Sequence, residues 1–239
     1  MKNNLKVAVI GAMDCEINTL KECLKDIETI EYGKLTVFKG RIGNNEIILT
    51  KSGVGKVCAA INTQFIIDKF QPDCIINTGV AGGIAQELEV GDIVIATSLV
   101  QHDFDATALG YVKGYACTGG DNQKPTWFYT DEKLIKAFET AISKVHTTSK
   151  IYKGVIATGD MFIGTPEKKT ELRELFNATA AEMESSAIAQ TANTNDIPCL
   201  VIRAISDLAD CTANKPFAEV EKQMAEVAAS TIEILLDNL

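Results

Sequence analysis

The sequence predicts an α/β protein, one domain spanning residues 1–239 with a central mixed, mainly parallel sheet flanked by helices. Short apolar runs at Lys6–Ile10, Cys74–Asn77, Asp92–Thr97, Ile151–Ala157 and Leu200–Ile205 read as strands, most of them covered on both faces. Stretches with apolar residues at helical spacing alternate with them, as in a sheet covered by helices. No linker rich in Pro, Ser or Gly and no block of charge divides the chain, which is long enough to bury a sizeable core.

The first strand ends at Gly11, and a helix follows from near Met13, with Ile17, Leu20 and Leu24 on one face. Glu16 then lies in the first turn of a helix at a strand's carboxyl end, where it either complements the helix dipole, as Asp14 also can, or faces a ligand. Leu35–Phe38 and Glu46–Leu49 read as paired strands joined by a turn at Gly43, Asn44 and Asn45. Lys51–Gly55 leads into a helix with Val57, Ile61 and Phe65 on one face. The segment SGVGKV is no phosphate-binding loop, since Thr50 and Val57 stand where that motif needs Gly and Ser or Thr; Cys58 replaces the third Gly of a dinucleotide motif. A tight strand-to-helix turn accounts for it.

Cys74–Asn77 opens into the glycine-rich segment Thr78–Gly83, read as a loop that either turns the chain or lets a ligand approach the backbone. The stretch from His102 to Gln123 has no periodicity and reads as a functional or subunit-contact loop. Leu134, Phe138, Ile142 and Val145 mark a helix. After the strand Ile151–Ala157 come Thr158, Gly159 and Asp160, then Met161, Phe162 and Ile163, whose apolar character suits core as well as ligand contact. Thr165 and Pro166 start the next helix as cap and first-turn residue. Ala178–Ala181 leads into Glu182, Met183 and Glu184, and a helix of small residues begins at Ser185. Arg203 sits inside the apolar strand Leu200–Ile205, where a guanidinium requires a carboxylate partner from elsewhere in the chain. Ser206 and Asp207 fall at that strand's carboxyl end, the edge where open α/β sheets bind ligands, although either is also a fit helix cap. Phe217, Val220, Met224 and Val227 begin a long closing amphipathic helix.

Composition narrows the function. A net charge of −9 argues against a nucleic-acid partner. No apolar run reaches membrane-span length, and the apolar run Val7–Met13 is too short, with no cleavage site after it, to be a signal peptide. A cytoplasmic location is expected. Seven cysteines, an odd number without C-x-x-C spacing, agree with a reducing compartment and read mostly as small buried hydrophobes. With only His102 and His146 beside them, no metal site is expected, and no cofactor motif is present.

Glu16, the Gly79–Gly83 segment, Glu184 and Asp207 all lie near expected carboxyl ends of strands, so one crevice can hold them. Three carboxylates and an arginine, without a Ser/His/Asp set, suit glycosidic hydrolysis through an oxocarbenium-like transition state. One acid activates water, one holds sugar hydroxyls and one protonates the leaving group.

In order along the chain, GAMDCE (Gly11–Glu16), NTGVAGG (Asn77–Gly83), GDMFI (Gly159–Ile163), EME (Glu182–Glu184) and RAISDLAD (Arg203–Asp210) resemble the 5'-methylthioadenosine/S-adenosylhomocysteine nucleosidases of the nucleoside phosphorylase superfamily. The resemblance implies a nucleoside phosphorylase-like fold, an adenosine-type nucleoside substrate, no cofactor, a place in methionine salvage, and a homodimer. It implies that Glu16 activates water, with Arg203 beside it as the buried partner, and that Met183 and Glu184 hold the ribose. Phe162 would stack on adenine and the Ile163 backbone would read its edge. Asp207, positioned by Ser206, would protonate N7, which requires a proton on the carboxyl and is favoured by a dry pocket. Met13, Val80, Ala81, Gly82 and Phe217 complete the implied substrate site, and Tyr111 would reach into the other subunit's pocket. Val80 stands where many relatives carry Ser, and Cys117 where a proline often lies, so the pocket for the 5'-substituent has its own shape here. Methylthioadenosine, S-adenosylhomocysteine, 5'-deoxyadenosine and futalosine-type nucleosides all remain open as substrates. A phosphorylase using phosphate and a non-catalytic adenosine-binding protein are the competing readings; a chain whose only arginines are Arg41, Arg173 and Arg203 is poorly supplied for phosphate.

Overall fold

The computed structural model describes residues 4–116, 118–209 and 217–238, with side chains of the last helix described from 226 to 236. The expectations for Cys117 and for Asp210 of the RAISDLAD motif lie outside the described residues, as does that for the Phe217 side chain.

Strand β1 (Lys6–Gly11) leads into helix α1 (Asp14–Glu22), and β2 (Lys25–Tyr32), β3 (Leu35–Ile42) and β4 (Asn45–Lys51) follow as an antiparallel meander. Helix α2 (Lys56–Phe70) returns to β5 (Cys74–Gly83), and β6 (Ile93–Gln101) precedes the long irregular segment, within which 107–109 form a single 3₁₀ turn. The short β7 (Phe128–Tyr129), α3 (Glu132–Ile142), β8 (Ile151–Thr158), α4 (Pro166–Phe176), β9 (Ala178–Glu182), α5 (Ser185–Thr194), β10 (Cys199–Asp207) and α6 (Phe217–Asn238) complete the order.

One mixed sheet runs through the molecule. Its parallel pairings are β1 with β4 and β5, β5 with β10, and β6 and β9 each with β8; β10 with β6, β5 with β9, β6 with β7 and the β2–β4 meander are antiparallel. Because β10 pairs with both β5 and β6, the strands β5, β10, β6, β8 and β9 close into a ring. That closure brings the carboxyl ends of β5, β9 and β10 together beside the end of β1. Among the described residues three apolar clusters lie against the sheet: one around Ile66, Ile75 and Ile188 beneath α2 and α5, one around Ile17, Phe138 and Leu235 beneath α1, α3 and α6, and a smaller one around Val100, Leu172 and Phe176 beneath α4. Cys74 and Cys199 belong to the first two clusters, and burial pushes both thiols up to about 12; Cys58, in contrast to the sequence expectation, is exposed.

Local chemistry sets the helix ends. Asp131 accepts from Lys133 N and Leu134 N and caps α3, whose Leu134, Ile135, Phe138 and Ile142 face the core. Thr165 caps α4 with Pro166 in its first turn, and Asn177 in the left-handed region ends it.

Two expectations change, and one strand lies where none was read. Thr78–Gly83 is no loop: it continues β5, paired through Arg203 with Gly79 and through Asp207 with Gly82. Helix α2 buries Ala59, Asn62, Thr63, Ile66 and Ile67, whereas Val57 and Ile61 are 68% and 60% exposed and Phe65 stacks on Tyr32 at the rim. The helix is therefore apolar on two sides, and the spacing of the outer stripe alone does not say which side meets the sheet. Strand β2, KDIETIEY, carries too many exposed charges to read as a strand, yet pairs as the sheet's edge, where charge is expected.

Candidate active site

Met13, Glu16, Val80, Ala81, Gly82, Phe162, Met183, Glu184, Ser206 and Asp207 line one cleft at the joined strand ends, together with Ala12, Val54, Ala181 and Glu182. Ile163 is buried behind it, in a small recess shared with Gly82, Phe162 and Asp207. Phe162 stands at the mouth, 69% exposed. Tyr111 does not line the cleft of its own chain; its ring packs edge-on against Tyr115.

Glu16 is held from two sides. It occupies the third position of α1 and reaches back over the turn, so that Oε2 accepts from Ala12 N (2.5 Å) and Met13 N (3.0 Å), while Oε1 accepts from Val80 N (3.0 Å). A Cβ on Gly79 would overlap Oε1 and come within 2.9 Å of Cδ. The glycine thus makes room for the chain's own acid. Burial raises the carboxyl of Glu16 above the ordinary range, outweighing the opposing pull of Arg203 and the three N–H groups. A carboxyl raised above the ordinary range, with its oxygens fixed in place, is a better base toward water than an exposed one.

Arg203 is 1% exposed, and its ion-pair partner is Glu182, not Glu16: Nη2 lies 2.9 Å from Glu182 Oε2. Glu16 feels Arg203 only through space, because its own oxygens are taken by backbone donors of α1 and β5. Asn77 Oδ1 accepts from the same Nη2 at 2.6 Å, and Nη1 donates to Ile202 O. Glu182 further accepts from Thr158 Oγ1, Glu184 N, Ser185 N and Ser185 Oγ. Burial alone would raise its carboxyl, but Arg203 and these donors hold it below the usual range. Glu182 was not among the residues expected at the site. The signal was present: a strand-buried arginine demands a carboxylate, and EME directly follows the run Ala178–Ala181.

Two residues on, Glu184 has the opposite environment. It is buried, and its carboxylate accepts from Gly55 N at Oε1, 2.8 Å away. Burial first, then the charge of Glu182, pushes its pKa up to about 7, against the lowering effects of Gly55 N and Arg203. Asp207 is buried at the end of β10, where Ser206 Oγ donates to Oδ2 (2.9 Å) and Ala209 N to Oδ1 (2.9 Å); Ser206 Oγ also lies 3.3 Å from Ala81 O. A Cβ on Gly82 would sit 3.1 Å from Asp207 Oδ1, so this glycine too accommodates an acid.

Comparison with known proteins identifies the family. Residues 6–239 match the profile of the phosphorylase superfamily. The chain is 41% identical to the 5'-methylthioadenosine/S-adenosylhomocysteine nucleosidase of Staphylococcus haemolyticus (strain JCSC1435), covering 96% of this chain and 98% of the relative. It superposes with a TM-score of 0.89 and 38% identity on the nucleosidase of that name from Neisseria meningitidis in complex with methylthio-immucillin-A, over 98% and 99% of the two chains. A Streptococcus pyogenes S-adenosylhomocysteine nucleosidase in complex with 5-methylthiotubericidin gives 0.88 and 35%, over 100% of this chain and 98% of that one. A profile matching almost end to end, relatives at this identity and a shared fold make the chain a member of the phosphorylase superfamily and, within it, of the 5'-methylthioadenosine/S-adenosylhomocysteine nucleosidase family.

Proposed function

We infer that the protein hydrolyses the N-glycosidic bond of 5'-methylthioadenosine and S-adenosylhomocysteine, releasing adenine and a 5'-thio-substituted ribose that feeds methionine salvage. The observation carrying this reading is that Glu16, Glu184 and Asp207, from distant parts of the chain, face one cleft with three different environments. Glu184 accepts from the ribose hydroxyls beside Met183. Phe162 stacks on the base, and the Ile163 backbone meets its Watson–Crick edge. Met13, Val80, Ala81 and Gly82 supply the wall along the sugar and the attacking water. Asp207, fixed by Ser206, protonates N7 as the bond to the base breaks, so adenine leaves neutral. Glu16 takes the proton of the water that attacks the anomeric carbon of the oxocarbenium-like sugar.

Water is favoured over phosphate as nucleophile because Nη1 and Nη2 of Arg203 are turned to Glu182, Asn77 and Ile202 O beneath the cleft. Arg41 and Arg173 do not line it. The protein acts in the cytoplasm as a homodimer. Supporting the dimer, Val54 and Phe162 at the cleft and Val57, Ile61, Leu109 and Met161 elsewhere are exposed apolar residues of the kind a second subunit would cover, bringing its Tyr111 to the pocket. Among the described residues no helix is long and apolar enough to cross a membrane.

The test is adenine release from methylthioadenosine, S-adenosylhomocysteine, 5'-deoxyadenosine and a futalosine-type nucleoside carrying adenine, each with and without phosphate. Release independent of phosphate is expected, with Asp207→Asn and Glu16→Gln each lowering turnover by about 10²-fold or more while melting like the parent. A sugar phosphate as product would establish a phosphorylase; tight binding without release would establish a binding protein.

A further inference from the structure

Beside the cleft, three segments distant in sequence are locked into a closed triangle. Lys56 N, the first N–H of α2, donates to Asp160 Oδ1 at 2.8 Å. Asp160 N donates to Asp103 Oδ2 at 2.9 Å, and Lys56 Nζ returns to Asp103 Oδ1 at 2.5 Å. The helix has no side-chain cap of its own, so Asp160 caps it from the segment after β8. Burial would raise Asp103, but Lys56 and the Asp160 N–H hold it below the usual range, so the pair with Lys56 stays charged. The His102 ring, buried and packed against Gly159, leaves no space for a side chain there and fixes the start of the same segment.

The triangle touches two parts of the cleft. Gly55, next to Lys56, has a φ of +96° and a Cβ there would stand 3.0 Å from Asp160 Oδ1; its N–H is the donor to Glu184 Oε1. Asp160 in turn immediately precedes Met161 and Phe162 at the cleft mouth. We propose that Asp160 is a positioning residue, which pins the Gly53–Lys56 turn so that Gly55 N–H orients the Glu184 carboxylate for the sugar hydroxyls and registers the turn against the Phe162 segment. This rests on the reading of Glu184 as the ribose acceptor. Nothing in the triangle reaches the reacting atoms.

The charged groups facing Glu184 are Glu182 from β9, Glu16 from α1 and Arg203 from β10. Removing Asp160 leaves all of them in place and, of the groups acting on Glu184, loosens the Gly55 N–H, which holds the Glu184 pKa down. Glu184 then titrates at higher pH. The experiment is the pH profile of kcat and kcat/KM for methylthioadenosine in Asp160→Ala and Asp160→Asn. In Asp160→Ala, kcat/KM at pH 7 is expected to fall about tenfold, the size of one charge-assisted hydrogen bond, mostly through KM, with the acid limb moving up by as much as about one unit. Asp160→Asn, whose amide oxygen still accepts from Lys56 N, should restore both. Should Asp160→Ala fail to fold, Asp103→Asn, which uncharges the partner of Lys56, is expected to move the same limb upward by less. An unmoved limb, or an Asn variant as impaired as the Ala variant, overturns the proposal. Failure of the parent protein to release adenine would instead overturn the functional reading.

Discussion

Replacing Glu182 with Gln isolates the electrostatics of the buried pair. The amide oxygen can take the place of Oε2, which faces Arg203 Nη2, Glu184 N, Ser185 N and Ser185 Oγ, although as a neutral acceptor with two lone pairs it holds these four donors less well than the carboxylate. The new NH₂ faces Thr158 Oγ1, a hydroxyl able to accept. Shape survives, and the main loss is the counter-charge of an arginine that is 1% exposed. Breaking a buried pair by neutralising one partner costs about 3–5 kcal/mol. Glu16, within electrostatic reach of Arg203, offsets part of this, so the lower end, about 3 kcal/mol, is expected. For a chain of this size that is a fall in Tm of roughly 6–12 °C. Thermal and urea unfolding at pH 7 measure it. Because Glu182 is held below its reference value of 4.5, its contribution is present above that pH and lost as the pH falls through the lowered value; the gap between parent and variant should therefore close in acid. Adding Arg203→Met to Glu182→Gln removes the stranded charge and should recover at least half of the loss. A single variant melting within about 1 °C of the parent at pH 7 would refute the reasoning.

Two other substitutions probe the cleft. Glu184 is raised from 4.5 to about 7, so the folded chain keeps its proton longer than the unfolded chain; this stabilises below the unfolded value and is lost as pH rises through about 7. Glu184→Gln should accordingly melt higher than the parent at pH 8 by a larger margin than at pH 4.5, and equal margins would contradict it. The same titration predicts that KM of the parent for methylthioadenosine rises as pH drops below about 7, measured by initial rates, because the protonated acid is a poorer acceptor. Gly79→Ala drives a methyl into the Glu16 carboxylate and displaces it from Val80 N, so turnover should fall by about 10²-fold; near-normal rates would mean that Glu16 is not held as described.

Much of this architecture was legible in the chain because burial leaves a plain trace. The apolar runs of β1, β5, β8 and β10 are strands wherever they were expected. The demand of Arg203 for a carboxylate was equally visible, but not its partner: choosing between Glu16 and Glu182 depends on how β9 and β10 come together when the sheet closes, which no local pattern encodes. The glycines of β5 misled for a related reason. Read alone they suggest a loop, whereas they are strand residues without side chains because Glu16 and Asp207 occupy that space. The two-sided α2 could not be oriented without knowing what its outer stripe meets. The Lys56–Asp103–Asp160 triangle, three common surface residues far apart in sequence, left no signal at all.

The most direct test of the account is the structure of the protein with a non-hydrolysable methylthioadenosine analogue. The account predicts Glu184 on the ribose hydroxyls, the Asp207 carboxyl at N7, Phe162 over the base and a water between Glu16 and the anomeric carbon. An analogue seated with its purine away from Asp207, or with phosphate in place of that water, would contradict it.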